Sequence, residues 1–364
     1  MSEVAAKRYP CPSCGAKLEF APGASLKCPY CGHETSVPKS GEEIKELDFQ
    51  EYLSQASAKE EVIENQTVKC NSCGAEQTVD PNITMSHCAF CGLQLMAQAK
   101  TTRTIKPKSL LPFKINKSQA MDQYRGWLKG LWFAPSQLKQ YAQTEGALKG
   151  VYIPYWTYNA NTFTWYQGQR GDDYQETEYY TEKDDQGNEQ TKSRVVTRTE
   201  WTPVSGFVAN DFTNLLVLAS WSLPREKTER LEPWDLENLE PYRDEFISGF
   251  QAEAYQVDLG QGFENAKRIM QGPIEDNIRH DIGGDHQKID TSKTQYNNIT
   301  FKHILLPIWI NAYRYQNKSY RFVVNGRTGE VQGERPWSYL KIALTVAGVL
   351  VAGGLIYYLV RLFH

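Results

Sequence analysis

The stretch "CPSCGAKLEFAPGASLKCPYCG", residues 11–32, contains two Cys-x-x-Cys pairs, and a glycine follows the second cysteine of each pair. Two intervening residues let both sulfurs of a pair point at one ion, at the ~2.3 Å that a zinc–sulfur bond requires. The glycine can adopt a positive φ, so the chain turns back while backbone amides face the sulfurs. Two such pairs complete a closed site of four thiolates with no position left for water or substrate. The pattern predicts a structural zinc ribbon.

The same pattern recurs in "CNSCGAEQTVDPNITMSHCAFCG", residues 70–92, which indicates a tandem duplication of one unit. Disulfides are the alternative, but the N-terminal "MSEVAAKRYP" lacks the apolar stretch of a signal peptide, so we expect reduced thiols in the cytosol. We therefore expect two structural Zn²⁺ ions. The predicted ligands are the eight cysteines of the chain: Cys11, Cys14, Cys28, Cys31, Cys70, Cys73, Cys88 and Cys91.

The C-terminal segment predicts a transmembrane helix. The run from Ile342 to Val360 contains no charged residue and is long enough, as a helix, to cross the roughly 30 Å hydrocarbon core of a bilayer. Trp337 and Tyr339 precede it, and Lys341 and Arg361 flank it, as is typical of a membrane span. A buried core helix is the alternative. Because the run lies at the C-terminus, we expect a tail anchor in the cytoplasmic membrane with the bulk of the chain in the cytoplasm. Small residues spaced four apart along it would allow helix pairing and a homo-oligomer.

The rest of the chain is predicted to be a β-rich α+β domain with antiparallel sheets, because it shows β-type alternation and many aromatic residues. The acidic segment between the ribbons can be a short amphipathic helix or a solvated linker. The predicted order is zinc ribbon 1 at 7–39, the acidic linker at 40–65, zinc ribbon 2 at 66–98, the β-rich domain at 104–335 and the membrane anchor at 338–361.

Two related β-modules are predicted within this domain, since "YIPYWT" (152–157) resembles "LLPIWI" (305–310). In both phrases the proline, Pro154 or Pro307, is expected at the start of a strand, where a missing N–H costs little. Helices are expected at 117–133, at 134–150 and from Gly262 onward, and a long polar hairpin at 179–201 that closes near Gly187.

The segment "RHDIGGDHQKID" is the only compact polar cluster that suggests chemistry. Its His and Asp side chains could bind a metal or act as acid and base, although a helix end followed by a polar loop explains them equally well. The residues are His280, Asp281, Asp285, His286 and Asp290. No phosphate-binding loop, dinucleotide motif or nucleophile elbow is present, so we expect no enzyme. The net charge of −3 gives no general reason to bind nucleic acid.

"ISGFQAEAYQVDL", "TFKHILLPIWINAYRY" and "VVNGRTGEVQGERPWS", together with the tandem ribbons and the apolar tail, resemble a family of bacterial tail-anchored zinc-ribbon membrane proteins. Members are labelled as having a transcription-factor-IIB-type zinc ribbon or are named after the primosomal helicase. The resemblance implies a membrane-docked adaptor or scaffold in envelope stress or membrane remodelling, with SPFH-domain and PspA-like proteins as partners. A membrane-tethered nucleic-acid-binding protein is the alternative.

Overall fold

Three long antiparallel strands dominate the computed structural model, which describes residues 9–23, 25–38, 41–55, 62–78, 85–96, 100–135, 148–183, 189–315 and 318–363. The strands are β1 (Glu19–Ala21), β2 (Ser25–Lys27), β3 (Glu34–Ser36), β4 (Leu47–Asp48), β5 (Val62–Lys69), β6 (Glu76–Thr78), β7 (Met85–His87), β8 (Gln94–Met96), β9 (Lys100–Ile105), β10 (Ser109–Leu110), β11 (Lys149–Lys183), β12 (Glu189–Leu218), β13 (Glu240–Pro241), β14 (Gln251–Ala252), β15 (His286–Tyr315), β16 (Lys318–Asn325) and β17 (Val331–Gly333). The helices are α1 (Phe49–Gln55), α2 (Lys117–Gly130), α3 (Arg225–Glu229), α4 (Asp244–Ile247), α5 (Leu259–Ile282) and α6 (Tyr339–Phe363), with a 3-10 turn at Leu236–Asn238.

The central sheet has the strand order β12-β11-β15-β10-β13, with β11 antiparallel to both of its neighbours. Strand β15 starts opposite Gly171, so beyond that residue β11 and β12 continue as a two-stranded arm. The arm pairs 171–183 with 189–201, and its side chains are largely exposed. The predicted hairpin at 179–201 is its outer part, and the turn expected near Gly187 lies outside the described residues.

Helix α5 covers one face of the long strands. Alternate residues of β11 lie under it, so Thr164 and Tyr166 are buried whereas Phe163 and Trp165 on the opposite face are exposed. This alternation is the expected result of the two-residue period of a strand. The apolar side of α5 packs into a cluster with β11 and β15, and Asp258 caps the helix by accepting the backbone N–H of Gln261.

Neither Pro154 nor Pro307 starts a strand, so that prediction is wrong. Both lie inside long strands that pair with each other, with Ile153 opposite Leu306. The carbonyl of Pro154 accepts the N–H of Ala219 just past the end of β12, and the Pro307 carbonyl accepts that of Gly326 just past β16. An antiparallel residue directs its N–H and C=O to the same side, so each missing N–H falls where the neighbouring strand has already stopped. The two similar phrases thus occupy equivalent places on either side of the sheet centre.

The fold class is confirmed: two small cysteine-rich β units precede a large β-rich domain with antiparallel and mixed sheets, and one apolar helix ends the chain. The acidic segment after the first unit adds strand β4 to the edge of β15 and continues as α1. The helix predicted at 134–150 is wrong at its end because Lys149 and Gly150 begin β11, while 136–147 lie outside the described residues.

Candidate metal centres

The first cysteine quartet brings four sulfurs together at one point. The Sγ atoms of Cys11 and Cys31 are 3.5 Å apart, as are those of Cys14 and Cys28, and all four lie within 4.8 Å of one another. Each Cys-x-x-Cys turn is closed by a glycine N–H that donates to the carbonyl of the first cysteine, over 2.8 Å in the first turn. Gly15 has a φ of 75°, as the sequence pattern required.

The second quartet repeats this geometry. Cys70 Sγ lies 3.5 Å from Cys91 Sγ, and Cys73 Sγ lies 3.6 Å from Cys88 Sγ. A tetrahedral ion with sulfur ligands at ~2.3 Å would hold those sulfurs about 3.8 Å apart, close to both sets of distances. Each quartet could therefore hold one metal ion, and the four thiolates would leave no open coordination position.

Hydrogen bonds lower the pKa of one thiol in each quartet and raise that of a neighbouring thiol. The N–H of Cys31 faces the sulfur of Cys28 and, with that of Tyr30, lowers the pKa of the Cys28 thiol to about 6. In the second quartet a hydrogen bond from Cys88 lowers the pKa of Cys73 to about 5. Because the thiolate is the form that binds metal, each quartet already contains one sulfur favoured as a ligand near neutral pH.

Ribbon 1, the unit built around the first quartet, is packed against the large domain rather than extended into solvent. The Phe20 N–H donates to the Ser248 carbonyl at 2.9 Å, and the Ser248 hydroxyl donates to the Leu18 carbonyl at 2.6 Å. The rings of Phe20 and Phe246 meet edge-to-face with centroids 5.3 Å apart. The apolar side of this ribbon is therefore already occupied by the domain that follows it.

Ribbon 2, built around the second quartet, is packed still more deeply. Phe90, which lies between two of its cysteines, is fully buried in a cluster that includes strands β11 and β15. The Ala254 N–H donates to the Glu76 carbonyl at 3.1 Å, and the Gln256 side chain donates to the Gly74 carbonyl at 3.0 Å. The Cys-x-x-Cys turns that could hold metal thus form part of the interface between ribbon 2 and the large domain.

A buried carboxyl lies at this interface. Glu253 is almost fully buried, and its Oε1 accepts the hydroxyls of Ser220, at 2.8 Å, and Ser222. Burial raises the pKa of Glu253 to about 8, so the side chain is mostly protonated at neutral pH. Sequence reasoning missed this residue because nothing in the local pattern distinguishes it from a surface glutamate.

The His/Asp segment does not converge on one site. His286 Nε2 lies 3.1 Å from Asp173 Oδ2, and Asp285 accepts the backbone N–H of Asp173 at 2.8 Å. Asp281, in the last turn of α5, instead accepts the hydroxyl of Tyr166 at 2.6 Å, and Asp290 accepts the side-chain amide of Gln169 at 3.2 Å. His280 is exposed in the last turn of α5. Among the described residues, only the two cysteine quartets form groups able to hold a metal.

Helix α6 has the composition of a membrane span. The segment Tyr339–Leu362 contains an 18-residue stretch with a mean hydropathy of 2.1, and none of that stretch is buried by the rest of the chain. Ser338 precedes the helix, and its hydroxyl accepts the Lys341 N–H at 3.4 Å. An uncovered apolar surface of this size requires either lipid or a partner to remove it from water.

The face of the long sheet opposite α5 carries a second uncovered apolar feature, which we call the aromatic triad: Phe163, Trp165 and Phe207. The rings of Phe163 and Phe207 stack with centroids 5.9 Å apart, and Trp165 packs against Phe207 at 5.5 Å. All three side chains are exposed. The sequence shows alternation at these positions, but only the strand pairing reveals that residues of β11 and β12 form one surface.

Comparison with known proteins gives a relative but no activity. No protein-family model matches this chain. The chain is 26% identical over 350 residues to "Uncharacterized protein YdjG" of Bacillus subtilis (strain 168), and the match covers 95% of this chain and 94% of that protein. The similarity therefore extends from the ribbons to the apolar helix, and the name of the relative states no function.

Proposed function

We propose that this protein is a single-pass, tail-anchored adaptor that holds other proteins at the cytoplasmic face of the membrane. Helix α6 is the anchor, and the ribbons and the β-rich domain lie in the cytoplasm. Each cysteine quartet holds a structural Zn²⁺ ion. The chain performs no catalytic step of its own. Its partners are SPFH-domain and PspA-like proteins of envelope-stress or membrane-remodelling assemblies, as the family resemblance implies.

The observation that carries the adaptor role is the aromatic triad on a rigid sheet. Its three rings are exposed on strands whose other face is fixed by α5, so the surface is formed before any partner arrives. Aromatic residues in such positions are enriched at protein interfaces because they bury much area at little entropic cost. The ribbons support this role indirectly, since their apolar faces are occupied by the domain itself.

The test is affinity purification of the tagged full chain from detergent-solubilised membranes. The double variant Trp165→Ser/Phe207→Ser removes most of the triad, and the control Tyr179→Ser removes a more exposed ring on the two-stranded arm. We expect SPFH-domain or PspA-like proteins to copurify with the wild type and with Tyr179→Ser but to be lost from the double variant. Zinc content and melting temperature verify that all three chains are folded.

Three results would each contradict a part of the proposal. Recovery of nucleic acid without a protein partner would favour the alternative, a membrane-tethered nucleic-acid-binding protein, whose binding would weaken steeply as salt rises. If the double variant recovered as much of the partner proteins as the wild type, the triad would not be the docking surface. A chain truncated before Ser338 is expected in the soluble fraction, and its persistence in membranes would refute the assignment of α6 as the anchor.

A further inference from the structure

A loop far away in sequence is fastened to the start of α6. The loop 131–135 follows α2, and the carbonyl of Phe133 accepts the N–H of Ser338 at 2.7 Å. The ammonium of Lys341, in the first turn of α6, donates to the carbonyl of Ala134 at 2.8 Å and to that of Trp132 at 3.4 Å. Together these bonds fix the loop at the level where the apolar part of the helix begins.

The loop itself is anchored to the domain by two of its side chains, which are core residues. Leu131 and Ala134 are buried in the cluster that α2 forms with β16 and β17. Trp132 lies between them in the chain, and its side chain is 73% exposed. An aromatic ring exposed to this extent contributes little to the packing of the domain, so its position calls for another explanation.

Two further aromatic side chains surround the same point. Trp337 is 50% exposed and Tyr339 is 82% exposed, and both lie within a few residues of Ser338. The guanidinium of Arg335 lies 4.3 Å from the centre of the Trp337 ring. Tryptophan, tyrosine and arginine at the end of an apolar helix are the side chains that favour the headgroup region of a bilayer.

We infer that Trp132 inserts into the lipid headgroup region beside α6, so that the domain has a second contact with the membrane. The occupant is the bilayer itself, because the loop is hydrogen-bonded at Ser338 to the predicted point of membrane entry, where the cationic Arg335 lies over the ring of Trp337. The inference rests on the proposed function, which makes α6 a membrane span. Its consequence is that the domain is held in one orientation on the membrane instead of rotating freely on a single tether.

The experiment places a photoreactive residue at single positions of the full-length chain, as Trp132→p-benzoylphenylalanine. The protein is reconstituted in liposomes of phosphatidylethanolamine and phosphatidylglycerol, irradiated, and analysed by intact mass for lipid adducts. The same residue at Leu350, in the middle of α6, reports on membrane insertion. The same residue at Trp165, an exposed tryptophan of the triad on β11, is the control for non-specific labelling.

Lipid adducts at positions 132 and 350 but not at 165 are the expected result. Adducts at 350 without adducts at 132 would overturn this inference and leave the membrane anchor intact. Absence of adducts at 350 would refute the anchor and with it the inference. Equal labelling at 132 and 165, or cross-linking of position 132 to a second protein chain instead of lipid, would also overturn the inference.

Discussion

The substitution Glu253→Gln tests the interface between ribbon 2 and the large domain. Glu253 follows β14 and accepts the hydroxyls of Ser220 and Ser222, and burial raises its pKa to about 8 from the ordinary value of 4.5. A glutamine has nearly the same shape, and its Oε1 can accept the same two hydroxyls. It cannot ionise, so it removes the pH dependence of this site without removing its hydrogen bonds.

The direction in which the unfolding free energy changes with pH depends on whether the folded or the unfolded chain releases the Glu253 proton at the lower pH. The unfolded chain loses the Glu253 proton near pH 4.5, whereas the folded protein keeps it until about pH 8. Between these values the unfolded state binds fewer protons, so the free energy of unfolding falls as pH rises. One pH unit corresponds to about 1.4 kcal/mol for a single group. From pH 6 to pH 8 the wild type should therefore lose about 2 kcal/mol through this carboxyl, after allowance for partial ionisation near pH 8.

The assay is urea unfolding of the zinc-loaded protein in detergent micelles, followed by tryptophan fluorescence at pH 6, 7 and 8. The measured quantity is the difference in unfolding free energy between the wild type and Glu253→Gln, which cancels the other titrating groups. We expect this difference to grow with pH in favour of the variant. The control Glu226→Gln alters an exposed glutamate of α3 that pairs with Arg230, and should keep the wild-type slope. Parallel pH profiles for the wild type and Glu253→Gln would refute the reasoning.

Two further predictions concern helix packing and metal. At Gly262 of α5 an added Cβ would lie 2.4 Å from a buried tyrosine hydroxyl, whereas at Gly272 of the same helix it would meet nothing within 4 Å. Gly262→Ala should thus lower the unfolding free energy by about 1–3 kcal/mol, while Gly272→Ala should raise it by up to about 1 kcal/mol; equal effects would contradict the packing of α5. Metal analysis should find two zinc ions in the wild type and one in either Cys31→Ser or Cys91→Ser. Cys91→Ser should lower the melting temperature more, because ribbon 2 is the more deeply buried; a larger loss from Cys31→Ser would contradict this order.

The cysteine quartets were predictable because their chemistry is local. Two residues between paired cysteines and a following glycine specify the turn, and the glycine conformation at Gly15 follows from that requirement. The apolar helix was predictable for a similar reason, since length and absence of charge are visible in the sequence. In both cases the deciding property belongs to a short continuous segment.

The other features of the structure depend on contacts between residues that lie far apart in the sequence. The position of Pro154 inside a strand is possible only because β12 stops beside it, which cannot be read from the residues around the proline. The buried state of Glu253 depends on serines that lie after β12, and the place of Trp132 depends on a lysine in α6. Hydrophobic alternation identifies which residues face inward, but it does not identify the element that covers them.

The segment Phe246–Asp258 explains why the ribbons are better understood as parts of the domain than as separate fingers. Ser248 fastens ribbon 1, Ala254 and its neighbours fasten ribbon 2, and Asp258 then caps the helix that covers the long sheet. This segment contains most of the phrase "ISGFQAEAYQVDL", so a motif with no obvious chemistry acts as the common attachment of three units. Metal binding stabilises the fold only as far as it is coupled to packing. Because both quartets are attached to one strip of chain that leads directly into α5, loss of metal at either ribbon would weaken the sheet on which the aromatic triad is displayed.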